Sequence, residues 1–300
     1  MALGTPQWVP LAGFPLEWAA LALLAAGAIY WERAALSGIG IEGCALSTML
    51  GLCLGYEWSG NYWIAAGAGI GGAVLFALIV SGLLLSLRAE PTVGSFCLTL
   101  IPACALGLLS RAAPLRLLRE TPAPGLIPGT IFEGTYAEDL VVNPWFLAAP
   151  VALALAAFVM LKTPYGLRLR AYPESPALAR RGPWQVGWSR VSGAVLGALW
   201  AAPAAAILLR AHPDSLPLGL GYIALACALA GRWGFLPAIL LAAGPALLRS
   251  LRPYAAGENP TGIALGAAPF VLALLYLILF SRRALRTATA RRSRLDADVL

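Results

Sequence analysis

The chain has 300 residues, of which 60% are hydrophobic and 12% are charged. Soluble domains carry about a quarter charged residues, so this composition excludes an ordinary soluble domain and indicates a polytopic membrane protein. The formal net charge of +7 does not indicate nucleic-acid binding, because the basic residues lie at the ends of apolar blocks, as topology signals do.

Charge-free intervals locate the membrane spans, since about 20 apolar residues cross a bilayer as a helix. The predicted spans are residues 11–31, 34–56, 58–87, 91–110, 140–161, 191–209, 215–231, 233–248 and 259–281. The short pair within 215–248 can instead form re-entrant half-helices. The sequence therefore predicts an all-α polytopic transmembrane helical bundle of about nine spans, with broken or re-entrant helices, in one domain over residues 1–300.

Polar intervals between these spans set the orientation. Residues 111–139 are Pro/Gly-rich and mixed in charge, which is typical of an external loop, while residues 163–190 form a basic loop and residues 282–300 a basic tail. Lys/Arg-rich short loops stay on the cytoplasmic side. With the loop at 163–190 inside, most of the 21 basic residues are cytoplasmic. This favours an external N-terminus and a cytoplasmic C-terminus, with Glu17 and Arg249 near the outer face.

The segment SGIGIEG at residues 37–43 places an acid, Glu42, at membrane depth. Such an acid is costly unless it is paired or wetted, and it usually faces a cavity or a pathway. The surrounding glycines predict a broken helix, whose backbone must face protein or water. We therefore predict that Glu42 lines a translocation pathway or supports its gate. The alternative is an interfacial Glu42 that caps a helix N-terminus, where the helix dipole favours an anion.

Two Gly-interrupted segments resemble each other, LSGIGIEGCAL at 36–46 and LPLGLGYIALACAL at 216–229. Under the predicted topology they run in opposite directions. Paired interrupted segments of this kind are the sequence trace of an inverted repeat with the substrate route between the two halves. A shared bias toward Gly and Ala is the alternative explanation.

The chain contains no HExxH, GxSxG or Walker A motif and no His/Cys cluster with metal-ligand spacing, so we predict neither catalytic nor metal-binding residues. Transport against a gradient then needs energy from an ion or from a partner. Because Glu42 is the only mid-span acid available for ion coupling, we favour a partner that docks on the loop at 163–190. The alternatives are an ion-coupled secondary transporter of a small solute and a membrane enzyme acting on lipid.

Four segments of the chain, in this order, carry a resemblance to a known family: IYWERAALSGIGIEG, LRAEPTVGSFCLTL, TPYGLRLRAYPESPALAR and GLGYIALACALAGRWGFLPAILLA. Together they resemble the permease subunit of bacterial ABC importers for nucleosides and simple sugars, the branched-chain-type family that works with a lipoprotein of the basic-membrane-protein type. The resemblance covers most of the chain, residues 15–280.

The resemblance implies a fold like that of type II ABC importer permeases in the bacterial inner membrane, surrounded by lipid. It implies that the chain forms half of a pore for nucleosides or related small polar solutes, together with a second permease subunit. It further implies a cytosolic ABC ATPase, which would carry the ATP and Mg, and an extracytoplasmic substrate-binding lipoprotein. No cofactor is expected on this chain. The resemblance of SGIGIEG to a motif of the family implies that Gly40, Glu42 and Gly43 lie on the broken helix near the translocation pathway.

The family's loop after the position of Arg170 forms a coupling helix that sits in a cleft of the ATPase. The match carries this coupling role to Glu174, Ser175, Pro176, Ala177 and Gly182. The family usually has Gly-Glu-Asn-Pro where this chain reads YPESP, and Ala-Gly-Ile where this chain continues RGPW. The detailed contacts with the ATPase are therefore expected to differ here.

Overall fold

The computed structural model describes residues 13–87, 89–111, 143–171, 183–211, 218–251 and 264–280, and every regular element among them is an α-helix. The helices are α1 (Phe14–Arg33), α2 (Gly40–Ser59), α3 (Tyr62–Leu87), α4 (Pro91–Arg111), α5 (Pro144–Lys162), α6 (Pro164–Ala171), α7 (Pro183–Ala211), α8 (Leu220–Ala230), α9 (Phe235–Leu251) and α10 (Ala264–Phe280). The predicted all-α bundle is confirmed. Within the described ranges, α1, α3, α4, α5 and α7 are long and apolar enough to cross a membrane. The count of nine crossings stays a prediction.

Helix α1 is the centre of the bundle. Its side chains from residue 20 to residue 31 are buried on every side, as expected of a helix that is hydrophobic all round. It contacts α2, α5, α7, α8 and α9. It crosses α7 closely, since a Cβ atom added at Gly27 would lie 2.8 Å from the carbonyl oxygen of Gly197. Small residues at such a crossing permit the tight backbone approach that associates helices in lipid.

Helices α2 and α3 form the closest antiparallel pair, joined by a turn at residues 60–61. Gly60 ends α2 in the left-handed conformation with φ +62°, and its N–H donates to the carbonyl of Tyr56. A Cβ atom added at Gly51 would lie 2.5 Å from the Ala68 carbonyl oxygen, and one at Gly72 would lie 2.6 Å from that of Ser47. Small residues on both helices therefore bring these two backbones into contact.

The interval predicted as one polar loop, residues 163–190, contains helix at both ends. Thr163 is extended, so α5 stops there, and Pro164 starts α6 because proline suits the first helical turn. The Thr163 hydroxyl accepts a hydrogen bond from the Gly166 N–H at 3.2 Å. Helix α7 begins at Pro183, eight residues before the predicted span. The coupling helix that the resemblance implies after Arg170 lies outside the described residues, as does the tail at 282–300.

Contacts place Arg33 and Arg249 at opposite ends of the bundle. At one end, Gly193 on α7 packs against Ala34, next to Arg33, and against Leu169 on α6. At the other end, the Arg249 Nε donates to Glu17 Oε2 at 3.0 Å. The two residues expected near the outer face therefore meet at one end, away from the end that carries α6. Which end faces the cytoplasm stays a prediction.

Candidate functional site

The connection between α1 and α2, residues 34–39, turns inside the bundle. The Leu36 N–H returns to the carbonyl of Trp31, and Ala35 has a positive φ of 55°. Glu32 Oε1 accepts the Gly38 N–H at 2.9 Å. Irregular backbone inside a membrane bundle has no water to bind, so its N–H and C=O groups need protein partners. These hydrogen bonds supply such partners. They also place the first turn of α2 against the start of α8.

The Glu42 carboxylate holds the N-terminus of α8. Its Oε1 accepts the N–H of Gly219 at 2.6 Å, and its Oε2 accepts the N–H of Gly221 at 2.5 Å. The first N–H groups of a helix have no partner within the helix, and the helix dipole favours an anion beside them. Only 3% of Glu42 is exposed. The capping alternative therefore describes the contact, with the difference that the capped helix is α8, far away in the sequence.

Gly221 makes this contact possible because it has no side chain. A Cβ atom added at Gly221 would lie 2.8 Å from both the backbone nitrogen and the Cα of Glu42. Neither atom can swing away as the end of a flexible side chain would. Gly219 contributes differently: its φ of +88° is a left-handed conformation that favours glycine. Gly219 and Gly221, both in the 216–229 segment, therefore allow that segment to pack against Glu42 in the 36–46 segment.

The Gly221→Ala variant tests this packing. The added methyl group is expected to push α2 and α8 apart and lower the free energy of unfolding by about 1–3 kcal/mol, the usual cost of overpacking. Gly71→Ala on α3 is the matched control, because nothing lies within 4 Å of a Cβ atom there, and it is expected to be neutral or slightly stabilising. Thermal unfolding in detergent compares the two, and equal midpoints would contradict the close approach.

Gly40 and Gly43 pack against aromatic rings on either side of Glu42. A Cβ atom at Gly40 would overlap the Trp31 ring, whose Nε1 donates to the Ala194 carbonyl at 3.1 Å. A Cβ atom at Gly43 would overlap the ring of Phe76 on α3. The first turn of α2 therefore contacts α1 through Gly40, α8 through Glu42 and α3 through Gly43.

An apolar cavity of about 370 Å³ begins one turn beyond Gly43. It is lined by residues of α2, α3 and α4, among them Ser47, Gly51 and Phe76. Phe76 thus contacts Gly43 and also forms part of the cavity wall. Gly40, Glu42 and Gly43 are themselves buried within the subunit, and their place on a translocation pathway stays a prediction.

The residues predicted to couple to an ATPase, Glu174 to Ala177 and Gly182, lie outside the described residues. The helices that flank them are joined to each other. The Tyr165 and Ser192 hydroxyls are 2.9 Å apart, and burial raises the pKa of Tyr165, so its hydroxyl remains a hydrogen-bond donor. Leu169 packs beside Gly193, which also contacts Ala34. The base of the loop therefore rests on the connection that leads to Glu42.

The pairing of Glu17 with Arg249 was not predicted from the sequence, although both residues were expected near the outer face of the membrane. Only 2% of Glu17 is exposed, and its carboxylate receives the Arg249 guanidinium at 3.0 Å. The signal was present, because an acid and a base at the same predicted end of two apolar spans are expected to pair. What the sequence lacked was any indication that α1 and α9 are neighbours.

Comparisons with known proteins give matches that extend along most of the chain. The family model described as branched-chain amino acid transport system / permease component matches residues 14–280. The guanosine ABC transporter permease protein NupQ of Bacillus subtilis is 28% identical over 293 residues, covering 89% of this chain and 90% of NupQ. The nucleoside ABC transporter permease protein NupC of Lactococcus lactis is 27% identical over 289 residues, covering 86% of this chain and 88% of NupC.

A third relative is named for a different substrate. The putative glucose ABC transporter permease protein TsgC13 of Haloferax volcanii is 27% identical over 232 residues, covering 71% of this chain and 67% of TsgC13. No solved structure gives a significant match.

Proposed function

The chain belongs to the family of permease components of branched-chain amino acid transport systems, and from that premise we propose that it forms half of the pore of an ATP-driven nucleoside importer. It is a multi-pass membrane protein and a transport subunit. The proposed substrates are nucleosides or related small polar solutes.

The proposed substrate class rests on the near full-length similarity to two relatives named for guanosine and nucleoside transport. The relative named for glucose matches over a smaller share of both chains. Similarity along the whole chain favours a shared pore architecture, and nucleosides are therefore the first substrates to test.

The proposed partners follow from the family. A cytosolic ABC ATPase carries ATP and Mg and binds the loop through Glu174, Ser175, Pro176, Ala177 and Gly182. A second permease subunit completes the pore, and an extracytoplasmic lipoprotein delivers the substrate. The chain itself carries no cofactor in this arrangement.

The contacts support a mechanical route from that loop to Gly40, Glu42 and Gly43. Helix α6 packs on Gly193, which touches Ala34 at the start of the connection to α2. A displacement of α6 therefore moves this connection, and the Glu42 carboxylate makes α8 move with α2. Rigid-body rocking of packed helices is a common means of switching access between two sides of a membrane. We propose that α2 and α8 move together in this way, with Gly40, Glu42 and Gly43 beside the pathway.

Uptake by the assembled system tests the function. Proteoliposomes containing the permease, its second permease, the ATPase and the lipoprotein are expected to accumulate labelled guanosine when ATP is present, and not labelled glucose. Accumulation that needs no ATPase and is abolished by a protonophore would overturn the proposal in favour of an ion-coupled carrier.

The Glu174→Arg variant tests the coupling role. Charge reversal at this proposed ATPase contact is expected to reduce ATP-dependent guanosine uptake several-fold, because like charges or an unpaired charge at an interface weaken docking. Binding of the ATPase, measured by co-purification, is expected to fall in parallel. Glu174→Gln is the control for loss of charge without reversal. Full transport by Glu174→Arg with ATPase binding intact would show that Glu174 has no coupling role.

A further inference from the structure

Helix α5 has a continuous exposed apolar stripe. Its exposed side chains recur every three or four residues along one face, at Leu147, Val151, Leu155, Phe158 and Leu161. The buried residues of α5 are Ala149, Ala156 and Met160, so the helix packs into the bundle through the face opposite the stripe. A stripe of this length on a membrane-spanning helix fits the acyl chains of the bilayer.

Helix α6, which follows α5 directly in the chain, also has an exposed apolar residue. Gly166 and Leu169 of α6 are buried against the bundle, which leaves Leu167 61% exposed beside the exposed Arg168. Trp188 on the neighbouring α7 is 67% exposed. An exposed Leu and Trp interleaved with arginines are typical of the membrane interface, where Trp lies at the level of the lipid headgroups.

Three cations follow one another closely at the end of α5 and on α6, Lys162, Arg168 and Arg170. Together with Arg190 on α7, we call them the basic corner. The contact between Tyr165 and Ser192 brings α6 beside the turn of α7 that carries Arg190. An Arg170 terminal nitrogen donates to the Leu161 carbonyl at 3.4 Å, while its buried Nε has no hydrogen-bond partner among the described residues. Helix α6 contains no acid. The basic corner therefore presents guanidinium donors at the end of the apolar stripe.

We propose that the basic corner binds the headgroup of an anionic phospholipid, whose acyl chains lie along the α5 stripe. Guanidinium groups bind phosphate oxygens through paired hydrogen bonds, and basic pockets between membrane helices select anionic headgroups. A protein partner would explain the cations alone. A lipid also explains why Leu167 and Trp188, on the two helices that carry Arg168, Arg170 and Arg190, expose apolar side chains.

Quenching of Trp188 by brominated lipid tests the site. The full-length chain is placed in nanodiscs containing brominated phosphatidylglycerol or brominated phosphatidylcholine, and the signal of Trp188→Phe is subtracted to isolate this tryptophan. Stronger quenching by phosphatidylglycerol is expected in the wild type. Arg168→Gln/Arg170→Gln is expected to lower this preference about fivefold for each arginine removed. Arg232→Gln is the control, an exposed arginine outside the basic corner, and is expected to keep the preference.

Several results would overturn the proposal. Equal quenching by the two lipids in the wild type would do so, as would an unchanged preference in the double variant. Inorganic phosphate that abolished the preference would identify a site for a free anion instead. If the double variant does not fold, the quenching preference of the wild type is measured at rising salt concentration instead. Binding to an anionic headgroup weakens as salt screens the charges, and a preference independent of salt would contradict it.

Discussion

Glu42→Leu is expected to abolish guanosine uptake and to be among the most destabilising single substitutions in the chain. Leucine leaves the N–H groups of Gly219 and Gly221 without the acceptor that now binds both of them. A buried donor left unsatisfied costs about 1–3 kcal/mol, so the two together cost about 2–6 kcal/mol. This is a large share of the free energy of unfolding of a typical domain, about 5–15 kcal/mol. Thermal unfolding and reconstituted uptake measure the two effects.

Glu42→Gln is the matched control for this variant. The glutamine amide offers one oxygen, which accepts one of the two N–H groups, while its NH₂ group faces the other donor. Loss of the carboxylate also removes the favourable interaction with the α8 dipole. We therefore expect Gln to be intermediate, with measurable uptake and a smaller fall in stability than Leu. Equal uptake by the Leu and Gln variants would show that the polarity of residue 42 is irrelevant.

Arg249→Gln is expected to lower the free energy of unfolding by about 3–5 kcal/mol, the usual cost of removing one partner of a buried ion pair. Glu17 is 2% exposed and would lose the cation that lies 3.0 Å from its carboxylate. Because the pair joins α1 to α9, the loss loosens the end of the bundle opposite α6. Chemical denaturation of the purified protein measures the change.

The double variant Glu17→Gln/Arg249→Gln separates the ion pair from general damage. With both charges removed, no uncompensated charge is left buried, so the double variant is expected to be more stable than Arg249→Gln alone. Arg232→Gln, at an exposed turn, is expected to change stability by less than about 0.5 kcal/mol. A double variant no more stable than the single one would contradict the pairing.

The helices were largely predictable because their signal is local. In lipid, a helix satisfies its own backbone and needs only an uninterrupted apolar run. The predicted spans 58–87 and 91–110 therefore agree closely with α3 and α4. The start of α7 was predicted too late because Arg190 was taken to end the polar loop. An arginine near a helix end can extend its charged group to the interface while its backbone stays helical, so charge alone does not mark the boundary.

Glu42 marks the limit of sequence reasoning about the site. The sequence identified Glu42 as an acid that needs a partner. It predicted either a residue of the translocation pathway or a cap of a helix N-terminus. Its partners lie 177 and 179 residues away, and they are backbone N–H groups that every residue except proline carries. No residue type could have pointed to them. The resemblance between the 36–46 and 216–229 segments was the only indication, and those two segments do meet.

The sequence by itself determined the all-helical membrane bundle, the family and the acid around which the candidate site is built. Each follows from the order of residues along the chain, through apolar length, motif order and the cost of a charge in lipid. Only the tertiary structure decided that Glu42 holds α8, that Glu17 holds Arg249, and that the end of α5 joins its apolar stripe to the basic corner. These contacts depend on which helices become neighbours, because in lipid that choice is made by close packing of small residues and by buried polar pairs distant in sequence.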